Sequence, residues 1–216
     1  MVVQGHATTV PVTVDEIVYH TRMVCRRATR PLIMADLPFL SYGSAELALR
    51  SAARLMQNGR AEMVKLEGGS DFIDVVRLLA ANGVPVCGHL GLLPQSIHKL
   101  GGYRVQGREA AAAQHMVDEA LALQDAGADM LVVECIPSEL GKRVSEALEI
   151  PVIGIGAGPD CDAQILVLYD LLGITPGRAP KFSRNFMVGA ESIQAALARY
   201  ASAVKDCSFP GPEHCF

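Results

Sequence analysis

No apolar run in this sequence approaches the roughly 18 residues that a bilayer-crossing helix needs, so no membrane span is expected. The first residues, MVVQGHATTV, have neither a basic n-region nor an apolar h-region, so no signal peptide is expected there. Neither sign of charge dominates: the formal net charge is −4 and the pI about 5.9. That leaves no basic surface of the kind nucleic acid selects. Arg22, Arg26, Arg27 and Arg30 cluster, but at a spacing that suits a solvated helix face. Six cysteines are present, and none form a C-x-x-C pair. Cys87 and Cys135 lie in apolar, strand-like runs, as buried thiols of a reducing cytosol would.

Half of the 216 residues are apolar and only 19% are charged, which excludes a disordered chain. This length suits one sizeable core, and a single domain over residues 1–216 is expected. One pattern recurs in "LMQNGRAEMVKLEGG", "LLAANGVPVCGHLG" and "LALQDAGADMLVVEC": helix end, glycine, strand. Gly59, Gly83 and Gly127 stand where a left-handed helix cap belongs.

Short runs apolar on both faces predict strands over 31–35, 63–66, 84–87, 130–133, 152–155 and 165–169. Between them, helical stripes recur. They are Ala45, Ala48, Leu49, Ala52, Leu55 and Met56; Phe72, Val75, Val76 and Leu79; Ala113, Met116, Val117, Ala120 and Leu121; and Ile193, Ala196, Leu197, Tyr200 and Val204. Strand alternating with helix predicts βα units.

What ends each strand is informative. Asp36 ends the first, Lys65 and Glu67 the second, His89 the third and Glu134 the fourth. Gly154, Gly156 and Gly158 follow the fifth, and Asp170 the sixth. Polar groups at successive strand C-termini match a (β/α) barrel, whereas a doubly wound sheet gathers them at one switch point. Lys65 and Glu67 are two apart, so on a strand they face the same way, into the barrel mouth.

Asp36, Glu67 and Glu134 are carboxylates with little on their own strands to neutralise them. Magnesium takes one or two carboxylates plus waters and substrate oxygens. A lone lysine suits an anionic substrate, and a remaining carboxylate can act as base. The set fits proton abstraction beside a carbonyl, with a metal stabilising the enolate. A single acid in a strand is more often a structural ion pair, and His89 alone can be a core histidine. Their succession at consecutive strand ends favours a site.

The segments "VQGHATTVPVTVDEIVYHT", "MADLPF", "MVKLEGG", "VPVCGHLGLLPQS", "GGYRVQGR", "ECIP" and "IPVIGIGAG" together resemble the ketopantoate (3-methyl-2-oxobutanoate) hydroxymethyltransferase family, in order and over nearly the whole chain. The resemblance implies a (β/α)8 TIM barrel in a cytoplasmic homo-oligomer, a decamer. It implies transfer of a hydroxymethyl group from 5,10-methylenetetrahydrofolate to 3-methyl-2-oxobutanoate, with Mg2+, in pantothenate and coenzyme A synthesis. It implies Asp36 as a magnesium ligand that also touches substrate, and Glu67 as a metal residue acting through water. Lys65 and His89 would contact the oxo acid, and Glu134 would be the proton acceptor.

The family has two further strands before this point, the second ending in a Gly-Asp-Ser motif that supplies a metal ligand and a substrate contact. Six of the eight strands are therefore expected here. Six cannot close an eight-stranded barrel without changing tilt and shear, so the first and last strands should be open edges. A misassigned start and a truncated paralogue that acts only as an oligomer partner are both open. So is a magnesium-dependent 2-oxo acid lyase of the isocitrate lyase and phosphoenolpyruvate mutase type. "GIGAG" is a bare turn or a ligand-approach loop, Tyr103 and Arg108 line the mouth or are merely exposed, and the tail "SFPGPEHCF" is assigned no chemistry.

Overall fold

The doubly apolar runs form a sheet because both of their faces find cover. In the computed structural model, which describes residues 2–216, six strands run parallel: β1 Met34–Asp36, β2 Met63–Lys65, β3 Val86–Gly91, β4 Met130–Glu134, β5 Val152–Ile155 and β6 Ala163–Gln164. Their spatial order is their chain order, and the sheet curls into a half-barrel with β1 and β6 as its edges. Around it lie α1 Val14–Cys25, α2 Ala45–Ala53, α3 Ile73–Ala81, α4 Ile97–Leu100, α5 Ala110–Asp125, α6 Ser138–Ala147, α7 Leu168–Leu172 and α8 Ile193–Lys205. Among the described residues no helix is long and apolar enough to cross a membrane.

Alternation along each strand splits the apolar side chains into two cores. Ala35, Val64, Leu66, Val86, Leu131 and Val133 join Ala52, Leu55, Leu79, Ala120 and Leu123 of the surrounding helical segments. Met63, Cys87, Val132 and Ile155 turn to the concave face, where Leu92, Ile97 and Phe182 cover them. Each fully buried valine, leucine or isoleucine among these contributes roughly 1.5–3 kcal/mol. Three of the helices start on side-chain caps: Thr13 with Glu16 makes a capping box at α1, and Ser44 and Ser192 cap α2 and α8.

Three details depart from the sequence pattern. The sixth strand is Ala163–Gln164, and the apolar run expected as strand instead leads into α7. The reason lies in its partner. Ile165 N still donates to Gly154 O, but Gly156 then turns (φ 64°) and takes β5 out of the ladder. Asp170 consequently ends no strand; it is buried in α7, where the Thr175 hydroxyl donates to its carboxylate.

Gly83 and Gly127 are left-handed as expected, with φ of 76° and 100°. Gly59 is not: its φ is −78°, and Arg60 takes the left-handed position instead. A π-helical turn over Arg54–Asn58 widens the helix end and shifts the reversal one residue on. Glycine is still required there, since a Cβ at 59 would lie 2.3 Å from the Leu55 carbonyl oxygen. Finally, the α8 stripe is only partly packed: Ala196 and Ala203 are buried, whereas Ile193 and Leu197 are exposed.

Candidate functional site

β1 to β3 are in register such that Asp36 stands beside Lys65, and Lys65 beside Cys87. His89 is two residues beyond Cys87 and so shares its concave face. The expected third strand, 84–87, runs longer, and His89 lies within β3 rather than at its end. Glu134 ends β4 opposite Gly91. Beyond β2 the chain folds over its neighbour, with Gly68 N donating to His89 O, which sets Glu67 above the same face.

The side chains meet in a line across four strands. Lys65 Nζ lies 3.4 Å from Asp36 Oδ1 and 3.4 Å from His89 Nδ1. His89 Nε2 lies 3.3 Å from Glu134 Oε2. His89 and Glu67 are 3% and 6% exposed. The Lys65 and Glu134 side chains are 12% and 14% exposed, so charge here is poorly screened; Asp36, at 50%, faces the opening.

The electrostatics follow from this burial. Burial works against the Lys65 ammonium, but Asp36 and Glu67 together hold its pKa above the ordinary value. Burial, then the Lys65 charge, push His89 down to about 3, so the ring is neutral at pH 7. An ammonium only donates. Nδ1 therefore accepts from Lys65, and the ring proton is assigned to Nε2, facing Glu134. Although the distance to Glu134 is short, the approach is off-axis, and Nε2 has no hydrogen-bond partner among the described residues. Burial raises Glu134 to about 7 against the opposing pull of Lys65. Burial also raises Glu67, which Lys65 and His89 partly offset.

Two residues that sequence reasoning missed surround Glu67. Gln95 N donates to Glu67 Oε2 at 2.8 Å, and the Tyr42 hydroxyl sits 3.0 Å from both Glu67 O and Gln95 Oε1. Neither belongs to a periodic stripe; only the motif context "LLPQS" marks Gln95, and nothing marks Tyr42.

Of the other sequence candidates, Tyr103 lies close enough for Glu134 to raise its pKa, burial being the larger cause. Arg108 is exposed. The "GIGAG" glycines are occupied by this chain itself: a Cβ at Gly156 would meet the Phe182 ring at 2.8 Å, and one at Gly158 would meet Ser138 at 2.5 Å. Ser138 N in turn donates to Phe216 O, so the tail packs against the start of α6.

Asp36 and Glu67 offer hard oxygen donors at neighbouring strand ends, close enough that Asp36 raises the pKa of Glu67. Among the described residues no three His, Cys, Asp or Glu side chains converge into a cage. The pair therefore fits a hard divalent cation as a partial ligand set, completed by water and substrate oxygens.

Comparisons with known proteins agree on fold and sequence. A phosphoenolpyruvate phosphomutase from Streptomyces platensis subsp. rosaceus superposes with a TM-score of 0.53 at 14% identity, covering 90% of this chain and 69% of that one. A 2,3-dimethylmalate lyase of the phosphoenolpyruvate mutase/isocitrate lyase superfamily superposes with a TM-score of 0.51 at 15% identity, covering 99% of this chain and 72% of that one. These likenesses show a shared barrel-type fold. In sequence, the 3-methyl-2-oxobutanoate hydroxymethyltransferase of Alkalilimnicola ehrlichii is 62% identical over all of this chain and 78% of its own length. That of Halorhodospira halophila is 57% identical over the same shares. The family model for ketopantoate hydroxymethyltransferase matches residues 1–212, and with these relatives it makes the chain a member of that family.

Proposed function

We propose that this chain transfers a hydroxymethyl group from 5,10-methylenetetrahydrofolate to 3-methyl-2-oxobutanoate, giving 2-dehydropantoate for pantothenate and coenzyme A synthesis. The observation that carries this is Glu134: a largely buried carboxylate held near pKa 7, beside a neutral histidine whose other ring nitrogen contacts the Lys65 ammonium. A base works best when its pKa lies near the operating pH.

In this reading the Lys65 ammonium pairs with the substrate carboxylate. The unpartnered Nε2–H of His89 offers a donor to a substrate oxygen beside Glu134. Glu134 takes the proton from the β-carbon. Water breaks both C–N bonds of the folate methylene, leaving tetrahydrofolate with two N–H groups and the one-carbon unit at the formaldehyde level. The electron pair left on the β-carbon forms the bond to the one-carbon unit, and the proton held by Glu134 returns to its oxygen to give the hydroxymethyl group. Asp36 and Glu67 would hold Mg2+, with Glu67 acting through water. When bound, that ion supplies Lewis-acid polarisation of the keto oxygen.

Assembly as a homo-oligomer in the cytoplasm, a decamer by family likeness, belongs to the same proposal. Exposed Ile165, Val167, Leu168, Ile174, Val188 and Ile193 suit burial against another copy. The competing lyase activity shares the fold, but relatives at 57–62% identity favour the transferase. Turnover assays distinguish the two: 2-dehydropantoate should form only when the folate donor is added. Cleavage of a 2-alkylmalate without folate would overturn the proposal. Turnover only after mixing with a longer homologue would favour a partner role.

A further inference from the structure

Glu67 carries a raised pKa, chiefly from burial, yet it must keep a fixed place if it serves the site. What fixes it lies outside its own strand. Gln95 sits on the 3-10 turn Pro94–Ser96 after β3 and is itself buried. Its backbone N–H donates to Glu67 Oε2 at 2.8 Å, and its side-chain Nε2 donates to Leu37 O at 2.9 Å. Leu37 N in turn donates to Lys65 O at 2.8 Å.

Tyr42 completes the ring of contacts. Its hydroxyl accepts from Glu67 N at 3.3 Å and has Glu67 O and Gln95 Oε1 each at 3.0 Å. One hydroxyl proton serves one of those two acceptors at a time. Burial keeps the phenol protonated by raising its pKa well above the ordinary value. The Tyr42 ring is held edge-on against Phe72, with centroids 4.9 Å apart. The segments after β1, β2 and β3 are thereby tied together, and these carry or adjoin Asp36, Glu67 and His89.

Burying an amide and a phenol costs free energy that apolar side chains of the same shape would avoid. A network kept polar and satisfied specifies one geometry. We propose that Gln95 and Tyr42 are positioning residues that fix the Glu67 carboxylate toward the site: the Gln95 side chain, bonded to Leu37 O and Tyr42, anchors the turn whose backbone N–H holds the carboxylate, and Tyr42 locks Gln95 and the Glu67 main chain. The inference rests on Glu67 serving as a metal residue.

The test uses Mn2+ as probe and reads free ion by electron paramagnetic resonance, without turnover. Gln95→Ala and Tyr42→Phe should each weaken Mn2+ binding about tenfold, the scale seen when groups that orient a metal ligand are lost. Neither should weaken it further in a Glu67→Gln background, because both act through that carboxylate. Equal losses in the two backgrounds would overturn the proposal by showing a general structural effect. Loss in Glu67→Gln with no effect of Gln95→Ala or Tyr42→Phe would overturn it while leaving the role of Glu67 intact. Unchanged binding in Glu67→Gln, or none by the unsubstituted chain, would contradict the metal role itself and remove the proposal with it. Tyr42→Phe changes one atom, so it stays informative where Gln95→Ala fails to fold.

Discussion

His89 Nε2 and Glu134 Oε2 lie 3.3 Å apart but out of line for a hydrogen bond. A neutral donor and a carboxylate are thus adjacent without satisfying each other. His89 is buried and Glu134 nearly so, and each retains a strong interaction for a third group placed between them. Four expectations follow from how this line of side chains is charged.

Glu134→Gln should stabilise the fold at high pH. The folded carboxylate titrates near 7, above its ordinary 4.5. Its contribution to stability is present below pH 4.5 and lost as pH rises through 7, because folding then buries a charge. The variant should be more stable than the parent by on the order of 2–3 kcal/mol at pH 8 and about equal at pH 4.5. Denaturant titrations at both pH values measure the difference.

His89 should stay neutral, with its proton on Nε2, from pH 5 to pH 8. Nitrogen-15 chemical shifts of labelled imidazole report the tautomer directly. Because its folded pKa is about 3 against an ordinary 6.5, folding loses stability as pH falls from 6.5 towards 3. His89→Gln should flatten that acid limb.

Lys65→Met should raise the pKa of Glu134, since Lys65 is the group that opposes its upward shift. The pH profile of β-proton exchange should therefore move alkaline of 7. The apparent affinity for 3-methyl-2-oxobutanoate should fall as well, because Lys65 is the cation proposed to pair with its carboxylate. Thermal stability should drop as well, by less than the roughly 3–5 kcal/mol of a fully buried pair, because Asp36 is half exposed.

Much of this was legible in the sequence. Lys65 and Glu67 stand two apart after a doubly apolar run, and period two puts both on the concave face. The same logic places His89 and Glu134. The sixth strand was not legible: the run from Ile165 to Tyr169 is apolar enough for a strand, but pairing depends on where β5 turns away at Gly156. Gly59 was misread because a π-turn, invisible to helical periodicity, moved the left-handed residue to Arg60. Tyr42 and Gln95 left no pattern, since an isolated polar residue in a loop shows its burial only once three segments converge on it.

Deuterium exchange at the β-carbon of 3-methyl-2-oxobutanoate, followed by proton NMR in deuterium oxide with Mg2+ and without folate, tests Glu134 as the base most directly. Exchange should be catalysed, should rise with pH through about 7 as Glu134 ionises, and should fall by at least about 100-fold in Glu134→Gln. Chelation of the ion should suppress it. Exchange that persists in Glu134→Gln, or no exchange from the folded parent chain, would contradict proton abstraction at this site.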